Sequence, residues 1–529
     1  MEGQPDTSNV MEAVQASRRV FLKVMVAGAA GFAVVSCMPR QPEGGGTPAT
    51  ESKTEGQLKT LRVAWGGAPV TLDPLSASAD TEIAFLNAVY DYLIDTNARS
   101  ELVPRLATSW NVSDDGLTYT LQIVEGAKFH DGSALTIQDI IWTFDRLRDP
   151  ESESPTSDLY ADIVRIEPGE GNSVVFHLNR TNPDFLYNLS DNHAVILKAD
   201  APNIGNEFNG TGPFRLDEYI AEDRAVFSAH QDYWGGAPGV DRLEFIFFAD
   251  TEAAVNALRD GAVDVVLRMD NPTFLSLSAD QSFTAIDIAT NGHDLVRLRA
   301  DREPGSDERV RRAFKLATDR RAIFDRVQLG FGALGRDTPI GPLYAAYYTE
   351  EFLPPERDPV AARELLTAAG YPDGLDMTFY VPNLPDRVAL AQALAAQWAE
   401  AGIRVTIEPQ EEAVYYADNG WLEVDLGITP WGSRPTPQFY LDVAYKTGAV
   451  WNEAHFSDEE LDQYIEVAGS TLDEEERQNA YREIQRILIE RGPVIIPYFF
   501  AQFGVMAQAV SGLEVHPFAG RTNLRRATL

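Results

Sequence analysis

From Leu61 to about Phe500, short runs in which hydrophobic residues alternate are interleaved with longer runs in which they recur every three or four positions. A period of two lines one face of a strand, and a period near 3.6 lines one face of a helix. Leu61–Trp65 therefore reads as a strand, and Thr81–Leu93 as a helix through Ile83, Leu86, Tyr90 and Leu93. Thr118–Val124 reads as a strand closed by Glu125-Gly126, and Thr136 with Asp139 forms a capping-box start for a helix ending near Arg148. Further strands are expected at 174–178, 214–216, 224–229, 243–248, 375–381, 403–408, 424–429 and 494–500. Helices are expected at 307–329, 359–369, 387–401, 458–469 and 473–491. Two of them carry core-facing stripes, Leu390, Leu394, Trp398 and Ala401 in one and Tyr481, Ile484 and Leu488 in the other. Strands separated by helices of roughly 10–15 residues indicate an α/β class with largely parallel sheets.

A chain of 529 residues has room for two to four domains at about 150 residues each. Its 44 Lys+Arg against 80 Asp+Glu give a formal charge of −36. A surface of that sign repels polyanions, so nucleic acid is excluded as a partner. The single cysteine, Cys37, allows no intramolecular disulfide and no zinc site built on thiolates.

Cys37 lies at the end of a distinct segment. Ser17-Arg18-Arg19-Val20-Phe21-Leu22-Lys23 precedes an apolar run from Val24 to Val35, and small residues lead into Ser36-Cys37. A positive stretch, a short apolar core and a small-residue exit make a secretory signal. The run is shorter than the roughly 20 residues a membrane-spanning helix needs. The segment resembles a twin-arginine signal joined to a bacterial lipobox, which implies export of a folded chain, cleavage before Cys37 and lipid attachment to its sulfur. Residues 1–36 are then the signal peptide, and 37–59, rich in Pro, Gly, Thr, Ser and Glu, a flexible tether. Such a protein is expected on the outer face of the cell membrane or in the periplasm.

Several motifs in the body carry a resemblance. Leu102-Val103-Pro104-Arg105-Leu106-Ala107-Thr108-Ser109-Trp110 is followed by Ser113-Asp114-Asp115-Gly116-Leu117-Thr118-Tyr119 and Glu125-Gly126-Ala127-Lys128-Phe129-His130-Asp131-Gly132-Ser133. Gly210-Thr211-Gly212-Pro213-Phe214, Asp232-Tyr233-Trp234-Gly235-Gly236-Ala237-Pro238 and Asp260-Gly261-Ala262-Val263-Asp264 come later. Val310-Arg311-Arg312-Ala313-Phe314 with Ala317-Thr318-Asp319-Arg320, and Leu365-Leu366 with Ala369-Gly370-Tyr371-Pro372, complete the series. Together they resemble solute-binding protein family 5, the peptide- and nickel-binding group of ABC import receptors. His130 beside Asp131 belongs in that family to a turn, not to a catalytic pair.

The resemblance implies an α/β, two-lobed periplasmic-binding-protein-like (type II) fold with an extra subdomain in lobe 1. Lobe 1 would comprise 60–297 and 497–529, with the subdomain at about 97–205, and lobe 2 would span 298–496. It further implies a monomer that binds a small molecule or short peptide, closes on it by a hinge and delivers it to ABC permease subunits. No cofactor and no metal is expected.

The resemblance also marks candidate ligand contacts. In peptide-binding relatives a Trp at the position of Trp431 is followed three residues later by an Asp that receives the peptide's ammonium. Here, in Trp431-Gly432-Ser433-Arg434, that position is Arg434. A guanidinium repels an ammonium and grips a carboxylate, phosphate or sulfonate in bidentate fashion. Either the ligand presents an anion to this pocket, or a carboxylate elsewhere receives its amine, or Arg434 pairs internally with a lobe acid. Trp451, Asn452 and Tyr415, with Tyr416, are further candidates for the cleft wall. Two rivals remain. A nickel or metal-chelate receptor would need clustered ligands, and the seven histidines are scattered. An exported hydrolase would need a nucleophile motif, and neither G-x-S-x-G nor H-E-x-x-H occurs.

Overall fold

The computed structural model describes residues 58–529 apart from 153, 155, 418 and 419. Cys37, the signal peptide and nearly all of the expected tether lie outside the described residues. The elements that position the site are β1 (Thr60–Trp65), α1 (Asp80–Val89), β2 (Ala107–Val112), β3 (Thr118–Ile123), α2 (Ile137–Leu147), β4 (Ile163–Pro168) and β5 (Ser173–Leu178). Then come β6 (Phe214–Ile220), β7 (Arg224–Ala229), β8 (Arg242–Phe247), β9 (Val265–Val266), β10 (Phe283–Leu298), α3 (Glu308–Leu316) and α4 (Arg320–Val327). The remainder are β11 (Leu375–Pro382), α5 (Pro385–Glu400), β12 (Ile403–Gln410), β13 (Leu426–Trp431), α6 (Glu459–Ser470), α7 (Glu474–Arg491) and β14 (Tyr498–Ala507).

One sheet runs through the body in the order β12-β11-β13-β10-β14-β9-β1-β8-β7-β6, and a second, antiparallel sheet is ordered β2-β3-β5-β4. Parallel pairing is confined to β1 with β8 and β9, and β11 with β12 and β13. The expectation of largely parallel sheets is thereby corrected to a mixed α/β arrangement. A hairpin such as β6–β7 needs only a short turn, whereas parallel neighbours need a crossover.

Hydrophobic burial divides along β10. Its first half, Phe283 to Ala289, pairs with β14, and its second half, His293 to Leu298, pairs with β13. The register slips between Ala289 and His293, so the strand bends there. On one side lie cores built from Leu61 to Leu277 with Phe503 to Ala527, and on the other cores built from Leu295 to Tyr498. These are two lobes, joined through β10 and β14.

The capping box at α2 forms as read: Thr136 N–H donates to Asp139 Oδ2 at 2.8 Å, and Asp139 N–H to Thr136 Oγ1 at 3.4 Å. Leu390, Leu394 and Trp398 of α5, with Ala401 just beyond its end, are fully buried. The helix expected over 307–329 is two helices, because Asp319 caps the second by accepting from Ala322 N–H at 2.9 Å. The strand expected over 494–500 is interrupted before β14, with Pro497 at the break. Among the described residues no helix is long and apolar enough to cross a membrane.

The recurrent motifs of lobe 1 converge on one carboxylate. Asp91, fully buried, accepts from Arg105 Nε at 2.7 Å, Thr211 Oγ1 at 3.0 Å, Tyr233 Oη at 2.8 Å and Trp234 Nε1 at 2.9 Å. A Cβ at Gly210 or Gly212 would run into the backbone of Val89. His130 is part of this assembly: its Nε2 lies 3.0 Å from the Gly212 carbonyl, and burial pushes its pKa down to about 4.

Candidate ligand-binding site

The site is built where the crossing strand slips. His293 stands opposite Trp431 at the end of β13, and beyond it the chain leaves the sheet as Gly432-Ser433-Arg434. Gly292 lies so close to this exit that a Cβ there would meet Phe500 at 2.9 Å and the Trp431 carbonyl at 3.2 Å. Asn291 N–H donates to Ser433 Oγ at 3.2 Å, and Asn291 Nδ2 to the Arg434 carbonyl at 3.3 Å. Tyr344 Oη donates to the same carbonyl at 2.7 Å. The Tyr440 hydroxyl lies 2.6 Å from the Gly432 carbonyl and 3.2 Å from that of Asn291. Backbone bonds from both sides therefore fix the loop that carries Arg434.

The Arg434 side chain is held differently. Its guanidinium lies over the Phe439 ring, 4.5 Å from the centroid, and it forms no salt bridge among the described residues. Its Nε is buried without a hydrogen-bond partner, as is Asn291 Oδ1. No lobe acid lies within salt-bridge distance of Arg434 among the described residues, although against the cost of burial its charge helps hold the Asp191 carboxyl below its usual range.

Trp431 is buried, and its Nε1 donates to Glu453 Oε1 at 3.1 Å. Glu453 Oε2 accepts from Thr429 Oγ1 at 2.6 Å and lies 2.7 Å from Arg297 Nε, both acid and base being essentially inaccessible. Burial pushes the Glu453 carboxyl above its usual range even beside Arg297. A Cβ at Gly427 would collide with the Arg297 guanidinium, so only glycine fits beneath this pair. His293, behind the loop, is pushed down to about 4 by burial.

The other predicted residues separate. Trp451 is 38% exposed, packs edge-on against Trp431 with centroids 5.9 Å apart, and borders the same surface. A Cβ at Gly432 would meet no atom within 4 Å, so the loop backbone faces open space there. Asn452 is committed to its own loop, donating to the carbonyls of Lys446 at 3.1 Å and Phe456 at 2.8 Å. Tyr415 is 1% exposed and donates to the Ile428 carbonyl at 2.8 Å, beneath the sheet. Arg297, Glu453, Asn291, Tyr344 and Tyr440 were not singled out from the sequence. Asn291-Gly292, an Asn-Gly step inside a strand, was the one local signal available.

The lobes also touch away from this loop. Arg477 of α7 donates through Nη2 to Asp184 Oδ1 at 2.7 Å, both side chains being at least nine-tenths buried. Thr181 Oγ1 donates to the Ser470 carbonyl at 2.8 Å.

The family profile described as bacterial extracellular solute-binding proteins, family 5 (middle), matches residues 101–452. The chain belongs to this family. Among relatives of this family-5 solute-binding protein, heme-binding protein A of Haemophilus influenzae is 26% identical over 93% of this chain and 96% of its own. The dipeptide-binding protein of Pseudomonas aeruginosa is 28% identical over 86% of this chain and 92% of its own. NikZ of Campylobacter jejuni, solved in complex with Ni(L-His), superimposes with a TM-score of 0.75 at 22% identity, over 89% of this chain and 99% of that one. The two-lobed fold is therefore shared with periplasmic binding proteins. A likeness to proteins named for haem, dipeptides and nickel leaves the ligand to be argued from side chains.

Proposed function

We propose that this protein is the lipid-anchored, extracytoplasmic receptor of an ABC importer, capturing a peptide or peptide-like solute that carries an anionic group. The observation that carries this reading is Arg434, a guanidinium with a fixed backbone, an aromatic ring beneath it and no salt bridge among the described residues. Its planar fork matches a carboxylate. Trp431 and Trp451 supply aromatic surface alongside. The dipeptide-binding relative supports the solute class.

The working motion is hinge closure about β10 and β14. A ligand that touches both lobes only when they are shut shifts the balance toward the shut form. A preference of about 5.5 kcal/mol converts a 1:99 population into 99:1. The closed receptor then docks on its permease as a monomer, held near the membrane by acyl chains on Cys37, and the solute leaves unaltered.

Calorimetric titration of the mature chain against a short-peptide mixture, the same mixture amidated at its C-termini, and nickel chloride tests this. Binding heat with the acidic mixture, lost on amidation and in Arg434→Asp, is expected. Nickel binding without peptide binding, or peptide hydrolysis by the purified protein, would overturn it.

A further inference from the structure

Away from the Arg434 loop, the lobes meet through a buried ion pair whose two halves are prepared separately. On lobe 2, Arg477 in the first turn of α7 is held from three directions by its own lobe. Nε donates to the Ala468 carbonyl at 2.9 Å, Nη1 to Tyr347 Oη at 2.9 Å and Nη2 to Tyr481 Oη at 3.3 Å. The guanidinium also lies over both tyrosine rings, 5.1 and 5.5 Å from their centroids. Tyr347 is fixed in turn, since Gln485 Nε2 donates to its carbonyl at 2.8 Å. All of these partners are neutral, and among the described residues the one salt bridge of Arg477 is to Asp184 of lobe 1.

Asp184 heads the short helix Phe185–Asn188, whose Phe185 is buried in the lobe 1 core. The loop before it is pinned within lobe 1. Tyr119 Oη donates to the Asn182 carbonyl at 2.9 Å, Asn182 Nδ2 to Asp162 Oδ2 at 3.2 Å, and Asp184 N–H to Asn182 Oδ1 at 3.0 Å. The Asp184 carboxylate, by contrast, has no lobe 1 partner among the described residues: Oδ1 accepts from Arg477 Nη2 at 2.7 Å, and Oδ2 is buried without a hydrogen-bond partner. Uncharged contacts flank the pair. Thr181 Oγ1 donates to the Ser470 carbonyl at 2.8 Å, and a Cβ at Gly116, in the turn before β3, would run into the Leu472 side chain. Arg477 is a formed socket, and Asp184 is the carboxylate that fills it.

We infer that Asp184 and Arg477 are a closure latch, which lets the lobes shut in one register and holds a shut form populated without solute. This rests on the hinge-closure reading above and deepens it. With the lobes apart, water satisfies both charges; with the lobes shut in register, each satisfies the other. A shut form that is dry yet unpaired carries an uncompensated buried charge and is the costly one. Closure is therefore all-or-none at this point. Neither side chain bonds the Arg434 loop among the described residues, so the latch acts on the hinge whichever solute is carried. It opposes opening of the empty and the filled receptor alike, and so slows both entry and escape.

Small-angle scattering and hydrogen exchange of the full chain without added solute test the latch. Asp184→Asn keeps the shape of the side chain and removes its charge, leaving Arg477 unmatched in the shut form. It is expected to raise the radius of gyration and to speed exchange at the amides of 181–188 and 470–477 by about tenfold or more, with α5 and β8 unchanged. Asp184→Leu with Arg477→Met removes both charges and should bring radius and exchange back toward those of the unaltered protein. An unchanged radius and unchanged exchange in Asp184→Asn overturn the latch. Faster exchange that extends through α5 and β8 overturns it too, since the pair would then serve the fold and not the hinge, as does a double variant as open as the single one. Peptide heat in calorimetry with no response to Asp184→Asn rejects the latch and leaves the receptor reading standing. A latch response with no peptide heat does the reverse.

Discussion

Asp91 and Arg434 are both charged groups set among aromatic residues, and they are treated in opposite ways. Around Asp91, four donors drawn from three sequence motifs close on one carboxylate. Around Arg434, the nearby tyrosine and asparagine side chains bind only the loop backbone and leave the guanidinium alone. A charge whose partners are all within the fold serves the fold. One that is oriented yet unpaired points to a partner from outside. The motifs by which the family is recognised belong mainly to the first kind, and the departure from family pattern at Arg434 to the second.

The contrast can be broken most forcefully at Asp91. Asp91→Ala removes one of the two carboxylates that pair with the buried Arg105 guanidinium and leaves three polar side chains without their acceptor, and should cost about 3–5 kcal/mol, read as a lowered urea midpoint. A loss under about 1 kcal/mol would mean the hub is not structural. Arg297 and Glu453 offer a control within lobe 2. Arg297→Met alone should destabilise by a comparable ~3–5 kcal/mol, whereas Arg297→Met with Glu453→Met should recover most of it, because the isolated charge has gone. Failure of the double variant to recover would show that the pair supplies stability beyond its own solvation.

Acid should weaken both neighbourhoods. His130 beside the Asp91 motifs and His293 behind the Arg434 loop are each pushed down to about 4 by burial, as is His516. These rings stay neutral in the fold while the unfolded chain protonates below about 6.5. The unfolded state therefore binds more protons, and stability falls as pH drops from about 6.5 toward about 4, then levels off for these groups. The expected loss is on the order of a few kcal/mol, measured as urea midpoints at pH 7 and pH 4.5. Flat stability over that window would contradict the buried neutral state. The smallest effect is expected at Arg434 itself: Arg434→Gln should change stability by less than about 0.5 kcal/mol while removing anion binding. A large destabilisation would place it with the structural charges.

What the sequence disclosed follows the range of the forces involved. The α2 capping box, the α5 stripe and the turn at His130 are set by residues a few positions apart, and each formed as read. β10 was not foreseen, since its middle, Thr290-Asn291-Gly292-His293-Asp294, is polar yet buried, with Thr290, Asn291 and Asp294 bonded to partners more than a hundred residues away. The Arg297–Glu453 pair is equally silent, because nothing local marks two distant residues as partners. Trp431 and Arg434 stood out only against the family's pattern.

Native mass spectrometry of the protein and its Arg434→Asp variant, isolated with whatever solute each retains from a peptide extract, tests the central claim most directly. The account predicts a retained solute bearing a free carboxylate in the first and its loss in the second. A neutral or purely cationic solute, or the same solute held equally by both, would contradict it.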